Sequence, residues 1–458
     1  MDNNSSYLEN EKIGKLLLKF SIPCILSLLI SALYNIVDQI FIGNSSDGTI
    51  GNTATTIVFP LTCIALAFAL MLGDGAAAYM SLNHGKKETE KVSKTVGIVT
   101  SLGIIISILF IAILFPTLKS VLFLFDAKTE LALEKSYEYA FIILFGAPFY
   151  ILGTMYNSII RADNRPQVAM ISMISGAVIN IILDAILINV CDMGLKGAAL
   201  ATIIGQIVTF IISIIFVIKP KTYKLTLKDF ILNKEVLFNT LKLGFSSFLT
   251  QISIVIISVV SMNTLAKYGK DSKYGVDDPQ AIIGVSMKVF TIFVNIAVGI
   301  AAGSQPIVGY NYGAKKYKRV KEIYFKILIS ITAVGIIATL LFQLIPDKII
   351  SIFGSNSSHL ELYKEFGVKT IRIYLMLILF TLIQKGTSIF LQAIDKPYKA
   401  MILSLTRDII TFVPLTISLP ITLGIDGVLW AAPIADTCGL ILSIIFMIIE
   451  LKKLNENN

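Results

Sequence analysis

Residues 160–171 read IRADNRPQVAMI, and residues 391–402 read LQAIDKPYKAMI. The Ala, the Pro and the closing Ala-Met-Ile coincide in register, at an offset of about 230 residues. Three further pairs keep similar spacing and the same order. GLKGAALAT (194–202) matches GIDGVLWAA (424–432), FPTLKSVLF (115–123) matches IPDKIISIF (345–353), and GDGAAAYMSLNHGKK matches GSQPIVGYNYGAKK. Four matches in one order make the chain a unit written twice, and the fold follows from asking what that unit is.

The unit is hydrophobic. Of 458 residues, 55% are hydrophobic and 15% charged, against about 45–50% and about 25% in soluble domains. Apolar runs of the roughly 20 residues that cross a bilayer recur near 13–41, 54–82, 95–115, 137–160, 167–190, 197–218, 236–266, 280–312, 323–345, 366–393, 398–420 and 427–450. The fold class predicted is therefore an all-α integral membrane protein of twelve transmembrane helices in two pseudo-symmetric six-helix lobes. Six is even, so both halves enter from the same side, as a parallel repeat related by an axis along the membrane normal. The expected division is an N-terminal lobe at 1–218, a polar linker at 219–235 and a C-terminal lobe at 236–458. The first span is too long for the apolar region of a signal peptide and is read as retained. Cys24, Cys63, Cys191 and Cys438 lie in spans or at a span edge without CxxC spacing, which points to packing rather than disulfides or zinc.

The net charge of +9 is spread over alternate short loops, which argues against nucleic acid. Lysines and arginines follow spans 2, 4, 6 and 8, whereas the loops after spans 1 and 11 carry none. The positive-inside rule then puts the basic loops and both termini in the cytoplasm, in a multi-pass protein of the cell membrane.

Against this background the polar residues inside spans stand out. In NIILDAILIN (180–189), Asn180 and Asp184 share one helix face, although an aspartate at mid-membrane costs about 2.5–3.5 kcal/mol even on insertion scales. In span 1, Asp38 shares a face with Tyr34 and Asn35, near the outer end. Span 5 runs outward and span 6 inward, so Asp184 and Thr202 fall at nearly equal depth. Interhelical hydrogen bonding and close small-residue packing are the competing structural readings of Asn180, Asp184 and Thr202. The C-terminal lobe carries Lys288, Lys385, Arg407, Asp408 and Asp436 within spans. Similar depth predicts a contact of Lys288 with Asp436 or Asp408. Gln251, Gln305 and Gln384 are candidates to line a central cleft, Asp74 is expected to meet cytoplasmic water, and His84 and His359 are read as loop residues.

The whole chain resembles the multidrug and toxin extrusion (MATE) family. The resemblance rests on the two six-helix halves, YNIVDQIFIG closing span 1, NIILDAILI in span 5, GLKGAALAT opening span 6, and the paired RADNRP and QAIDKP turns. It is nearer to the bacterial and archaeal members with aspartates in the N-terminal lobe. The resemblance implies a monomer that exports amphipathic, often cationic, compounds in exchange for Na⁺ or H⁺, with no cofactor and with membrane lipid around it. The family's coupling positions fall on Asp38, Asn157, Asn180, Asp184 and Thr202, all oxygen-bearing, as a hard cation prefers. The sequence leaves sodium and proton both open. Lipid-linked sugar flippases of the same superfamily are the alternative; such proteins often carry cavity arginines or extra helices. An intramembrane enzyme is disfavoured, since no HExxH or GxSxG is present.

Overall fold

A computed structural model of the chain describes residues 6–125, 127, 129–352 and 360–456. Phe353, which ends the second half's IPDKIISIF string, and His359 lie outside the described residues. The chain forms a short α1 (Ser6–Asn10), then α2 (Ile13–Gly43), α3 (Gly48–Gly85), α4 (Thr89–Leu124), α5 (Glu130–Ala162), α6 (Pro166–Asp184) and α7 (Gly194–Ile218). The second half supplies α8 (Lys234–Gly269), α9 (Asp277–Gly313), α10 (Tyr317–Leu344), α11 (Pro346–Ile352), α12 (Leu360–Tyr374), α13 (Ile378–Ala393), α14 (Pro397–Leu405), α15 (Val413–Leu423) and α16 (Asp426–Glu456).

Eleven of the described helices are long and apolar enough to cross a membrane. The twelfth crossing is a broken one, α12 and α13, bent by 46°. Most helices extend past the apolar windows that predict them. α4, for example, begins at Thr89, with Glu90, Lys91 and Lys94 in its first turns. Its lipid-facing stripe is visible in exposed Ile104, Ile105, Ile108 and Leu109, since a water-soluble protein rarely leaves a patch of this kind uncovered.

The repeat is also written in the backbone. Asn164 and Asp395 both take a left-handed conformation, with φ 63° and 58°. Each stands two residues before a proline that opens a helix, Pro166 of α6 and Pro397 of α14. Asn and Asp tolerate this conformation best after Gly, and Pro at the first helical position has its φ already set. Lys87 pairs with Lys315 in the same way, and Gly194 with Gly424. All three pairs are about 230 residues apart. The repeated turns are thus the same turns, not only similar strings.

Packing divides the chain into two compact units, one of residues 1–251, 303–315 and 393–395, the other of residues 252–302, 316–392 and 396–458. In the first, the turn after α2 is fastened by Asp47. Its Oδ2 accepts the Leu195 backbone N–H at the start of α7 at 2.7 Å, and its Oδ1 meets Lys135 Nζ of α5 at 2.7 Å. Partial burial pushes the Asp47 carboxyl up, but these two hydrogen bonds and the nearby Lys196 outweigh it and hold the carboxyl below its usual range. A lowered carboxyl pKa stabilises the fold at neutral pH, and that contribution is lost as pH falls through the lowered value. Asp47→Ala is expected to cost about 1–2 kcal/mol at neutral pH. Its melting temperature should approach that of the unsubstituted protein only in acid, once pH has fallen below the lowered Asp47 value. Equal destabilisation at both pH values would remove the charge from the account.

Candidate functional site

The site grows from one helix crossing. At Gly205 of α7 an added Cβ would stand 2.7 Å from the Gly176 carbonyl of α6 and 3.1 Å from the Asn180 Cβ. Two glycines facing each other let the helix backbones approach, as small residues do in membranes. One turn further along, Asn180 Nδ2 lies 3.5 Å from Thr202 Oγ1. Gly205→Ala is expected to wedge the crossing, lower stability by about 1–3 kcal/mol and part Asn180 from Thr202. Thermal unfolding of the purified protein measures the first effect.

Asp184 closes α6, and the chain continues in wider π-helical turns at Ala185–Val190, a form that often marks functional positions. Asp184 is 0% exposed, and neither carboxylate oxygen has a hydrogen-bond partner among the described residues. Asp38 of α2 is 8% exposed, with Oδ1 likewise unpartnered, and Asn180 Oδ1 is a third buried oxygen without a donor. Asp184 lies within electrostatic reach of Asp38, and Tyr34 lies within reach of both.

Asn157 of α5, Asn180 and Thr202 share a cavity of about 60 Å3 with Tyr34, Gln206 and Thr209. That is room for a few waters or a partly hydrated small cation. The two aspartates stand beside this cavity rather than in its wall. Asn157 is already engaged: its Oδ1 accepts the Ser172 hydroxyl at 2.8 Å, and its Nδ2 donates to the Gly153 carbonyl at 2.9 Å. The structure thus brings Asp38 to Asp184 and Asn180 to Thr202, and it joins Asn157 to the latter pair through the cavity. Asn35, which the helical spacing placed on the Asp38 face, is exposed and donates back to the Ser31 carbonyl.

Tyr139 was not singled out by the sequence. It is buried on α5 within reach of Asp38, Tyr34 and Asp184. A phenol in the outer half of an apolar span is the signal that points to it. No three His, Cys, Asp or Glu side chains gather at a metal-binding distance among the described residues. The available ligands are therefore two carboxylates with neutral amide and hydroxyl oxygens, a donor set suited to a hard monovalent cation or to a proton.

The charges of the second half form a separate network and correct the predicted pairing. Arg407 Nε and Nη2 each lie 2.9 Å from Asp436 Oδ1, Arg407 Nη1 lies 2.9 Å from Asp408 Oδ1, and Lys385 Nζ lies 2.8 Å from Asp408 Oδ2. Lys288 takes no part. It is exposed on α9 and pairs with no acid among the described residues. Equal depth was a poor guide because Arg407 reaches Asp436 and Lys385 reaches Asp408 from adjoining helices, and these cations satisfy the acids first. Arg407 and Asp408 sit in a second run of π-helical turns, Thr406–Phe412.

Gln384 is buried and donates to the Leu403 carbonyl at 3.0 Å, Gln305 is buried in α9, and Gln251 is half-buried in α8. Asp74 is partly buried and engaged by side chains of the protein. It accepts from the Ser158 and Ser247 hydroxyls at 3.0 Å each, with Arg161 Nη2 at 3.6 Å. His84 is no loop residue but lies buried in the last turn of α3.

Comparison with known proteins follows this geometry. A family model described as MatE matches residues 23–186 and 246–417, well over half of the chain. Over 441 residues the chain is 26% identical to the multidrug export protein MepA of Staphylococcus aureus strain MRSA252, covering 96% of this chain and 94% of that protein. MepA of Staphylococcus saprophyticus matches at the same identity and coverage. Among solved structures, an outward-facing multidrug resistance MATE family transporter of the MOP superfamily superposes with a TM-score of 0.90 at 23% identity, over 99% of both chains. A MOP superfamily transporter from Pyrococcus furiosus Vc1, described as having a binding pocket of reverse polarity that suggests a different function, gives the same TM-score, identity and coverage. At this identity the two structures speak for the fold.

Proposed function

We propose, from the premise that this chain belongs to the MatE family, that it is a secondary active exporter, moving amphipathic and cationic compounds out of the cell in exchange for Na⁺ or H⁺. The observation that carries the reading is the pair of buried aspartates, both oxygens of Asp184 and Oδ1 of Asp38 lacking donors among the described residues. A buried carboxylate without a partner is costly, and either a proton or a cation relieves that cost. Asp38 and Asp184 supply the charge, and Asn180 and Thr202 supply neutral oxygens. Asn157 holds the wall of the adjoining cavity.

Export then works by alternating access. Ion binding beside Asp184 changes the first half so that its affinity for the exported compound falls while the pathway is open outside. The coupling is reciprocal, so the exported compound must weaken ion binding by the same factor. The multidrug export activity in the name of the Staphylococcus aureus relative supports the substrate class, and the lysine-rich loops support cytoplasmic termini. The test is efflux of a cationic dye from liposomes holding the purified protein, with a sodium gradient and a pH gradient imposed separately. Efflux driven by one of them is the expected result, and no response to either overturns the reading.

A further inference from the structure

The segment between α7 and α8, residues 219–234, reads KPKTYKLTLKDFILNK and would pass for a cytoplasmic loop. It is not free. Asp163, at the end of α5, accepts the backbone N–H groups of Lys221 and Thr222 at 2.8 Å each and the Thr222 hydroxyl at 2.6 Å, while Arg165 Nη1 donates to the Lys219 carbonyl at 2.9 Å. The single 3-10 turn Leu227–Phe230 lies against α4. A Cβ on Gly97 would clash with the Asp229 carbonyl, and Ser101 Oγ lies 3.4 Å from the Phe230 carbonyl.

The last charged residue in this part of α4 is Lys94. Ser101 therefore stands about 10 Å beyond that charge, at a rise of about 1.5 Å per residue, where α4 has already become apolar. Flanking Asp229 and Phe230 in the chain, three large apolar side chains are exposed: Leu227 is 90% exposed, Ile231 69% and Leu232 60%. The segment carries five lysines against one acid, Asp229. That acid is buried and accepts the Thr226 N–H and hydroxyl at 2.8 Å each, so its charge is spent internally. Lys219, Lys224, Lys228 and Lys234 are exposed.

We propose that residues 219–234 are an interfacial anchor that inserts Leu227, Ile231 and Leu232 into the leaflet beside the basic loops and selects anionic phospholipid through the surrounding lysines. The pinned backbone sets the depth. The apolar tip supplies partition into the acyl boundary, and the cationic rim supplies preference for acidic headgroups, the two terms on which interfacial binding depends. Sequence polarity hid this role because, over the whole of residues 219–234, the five lysines outweigh the apolar side chains.

The chain has one tryptophan, Trp430, so Trp430→Phe combined with Leu227→Trp makes a protein with one reporter. Its fluorescence is followed in nanodiscs of phosphatidylcholine alone and with phosphatidylglycerol, using brominated acyl chains and aqueous iodide as quenchers. Quenching by chains brominated near the headgroup, stronger with phosphatidylglycerol, is expected. Lys224→Glu with Lys228→Glu should lower the preference for phosphatidylglycerol about tenfold or more. Ile231→Trp, at a second exposed position, repeats the measurement should Leu227→Trp not fold. A reporter open to iodide and untouched by brominated chains overturns the proposal, as does equal quenching in both lipids.

Discussion

Asp184→Asn is expected to lower gradient-driven efflux sharply while leaving the protein as easy to fold as before. The two parts have one cause. In the folded chain both Asp184 oxygens are buried without a hydrogen-bond donor among the described residues, so the carboxylate is held at a cost in stability. The amide has nearly the same shape without the charge, and it inserts more readily. It cannot attract a cation or accept a proton at neutral pH. The coupling between ion and exported compound, of the order of 1–3 kcal/mol in such systems, is then lost, and efflux should fall roughly five- to 150-fold. The melting temperature should stay level or rise, and binding of the exported compound at equilibrium should persist. Asp38→Asn is expected to act in the same direction. Asn180→Ala should act less strongly, since it removes a neutral oxygen. Efflux at the unsubstituted rate under both gradients would leave Asp184 a packing residue and withdraw the coupling site.

Arg407→Ala is expected to be the most destabilising single change, and for the opposite reason. Arg407 joins Asp436 and Asp408 in a fully buried network. Removing one partner of a buried pair costs about 3–5 kcal/mol because it leaves an uncompensated charge behind. The two acids are not left alike. Asp408 keeps Lys385 at 2.8 Å, whereas Asp436 has no other cation among the salt bridges of the described residues. Adding Asp436→Asn to Arg407→Ala should therefore recover much of the loss, whereas adding Asp408→Asn should not. The melting temperatures of the single and double variants decide this. If the two double variants behave alike, the asymmetry is wrong.

The spans were legible because bilayer thickness imposes a length on apolar runs, and the repeat was legible because turns demand particular residues. Asn164 and Asp395 stand at left-handed positions, and Pro166 and Pro397 open the next helix. The bend between α12 and α13 left no trace, since Leu375–Leu377 is an apolar run without a proline or glycine. Asp184 and Asn180 were visible as polar residues where lipid penalises them, and Thr202 followed from depth. Depth alone misled at Lys288, because the rotation of each helix about its axis decides which acid a cation meets. Tyr139 went unnoticed since tyrosine near a span end is also what interfacial anchoring produces. The linker's polarity was legible as a count of lysines, whereas the exposure of Leu227, Ile231 and Leu232 and the pinning of its backbone by Asp163 and Arg165 needed the structure.

The π-helical turns at Ala185–Val190 carry a consequence for how this span can change over time. Such a turn holds one residue more than an α-helix of equal function needs, so the span contains a surplus residue immediately beyond Asp184. Elsewhere in a span, losing one residue rotates everything after it by about 100° (3.6 residues per turn) and scrambles which side faces lipid. Here a loss would convert the wide turn to an ordinary one, so that the residues beyond it keep the facing they have now. The outer end of the span can thereby shorten by a residue among descendants of this sequence without turning what lies beyond, while the aspartate stays where it is.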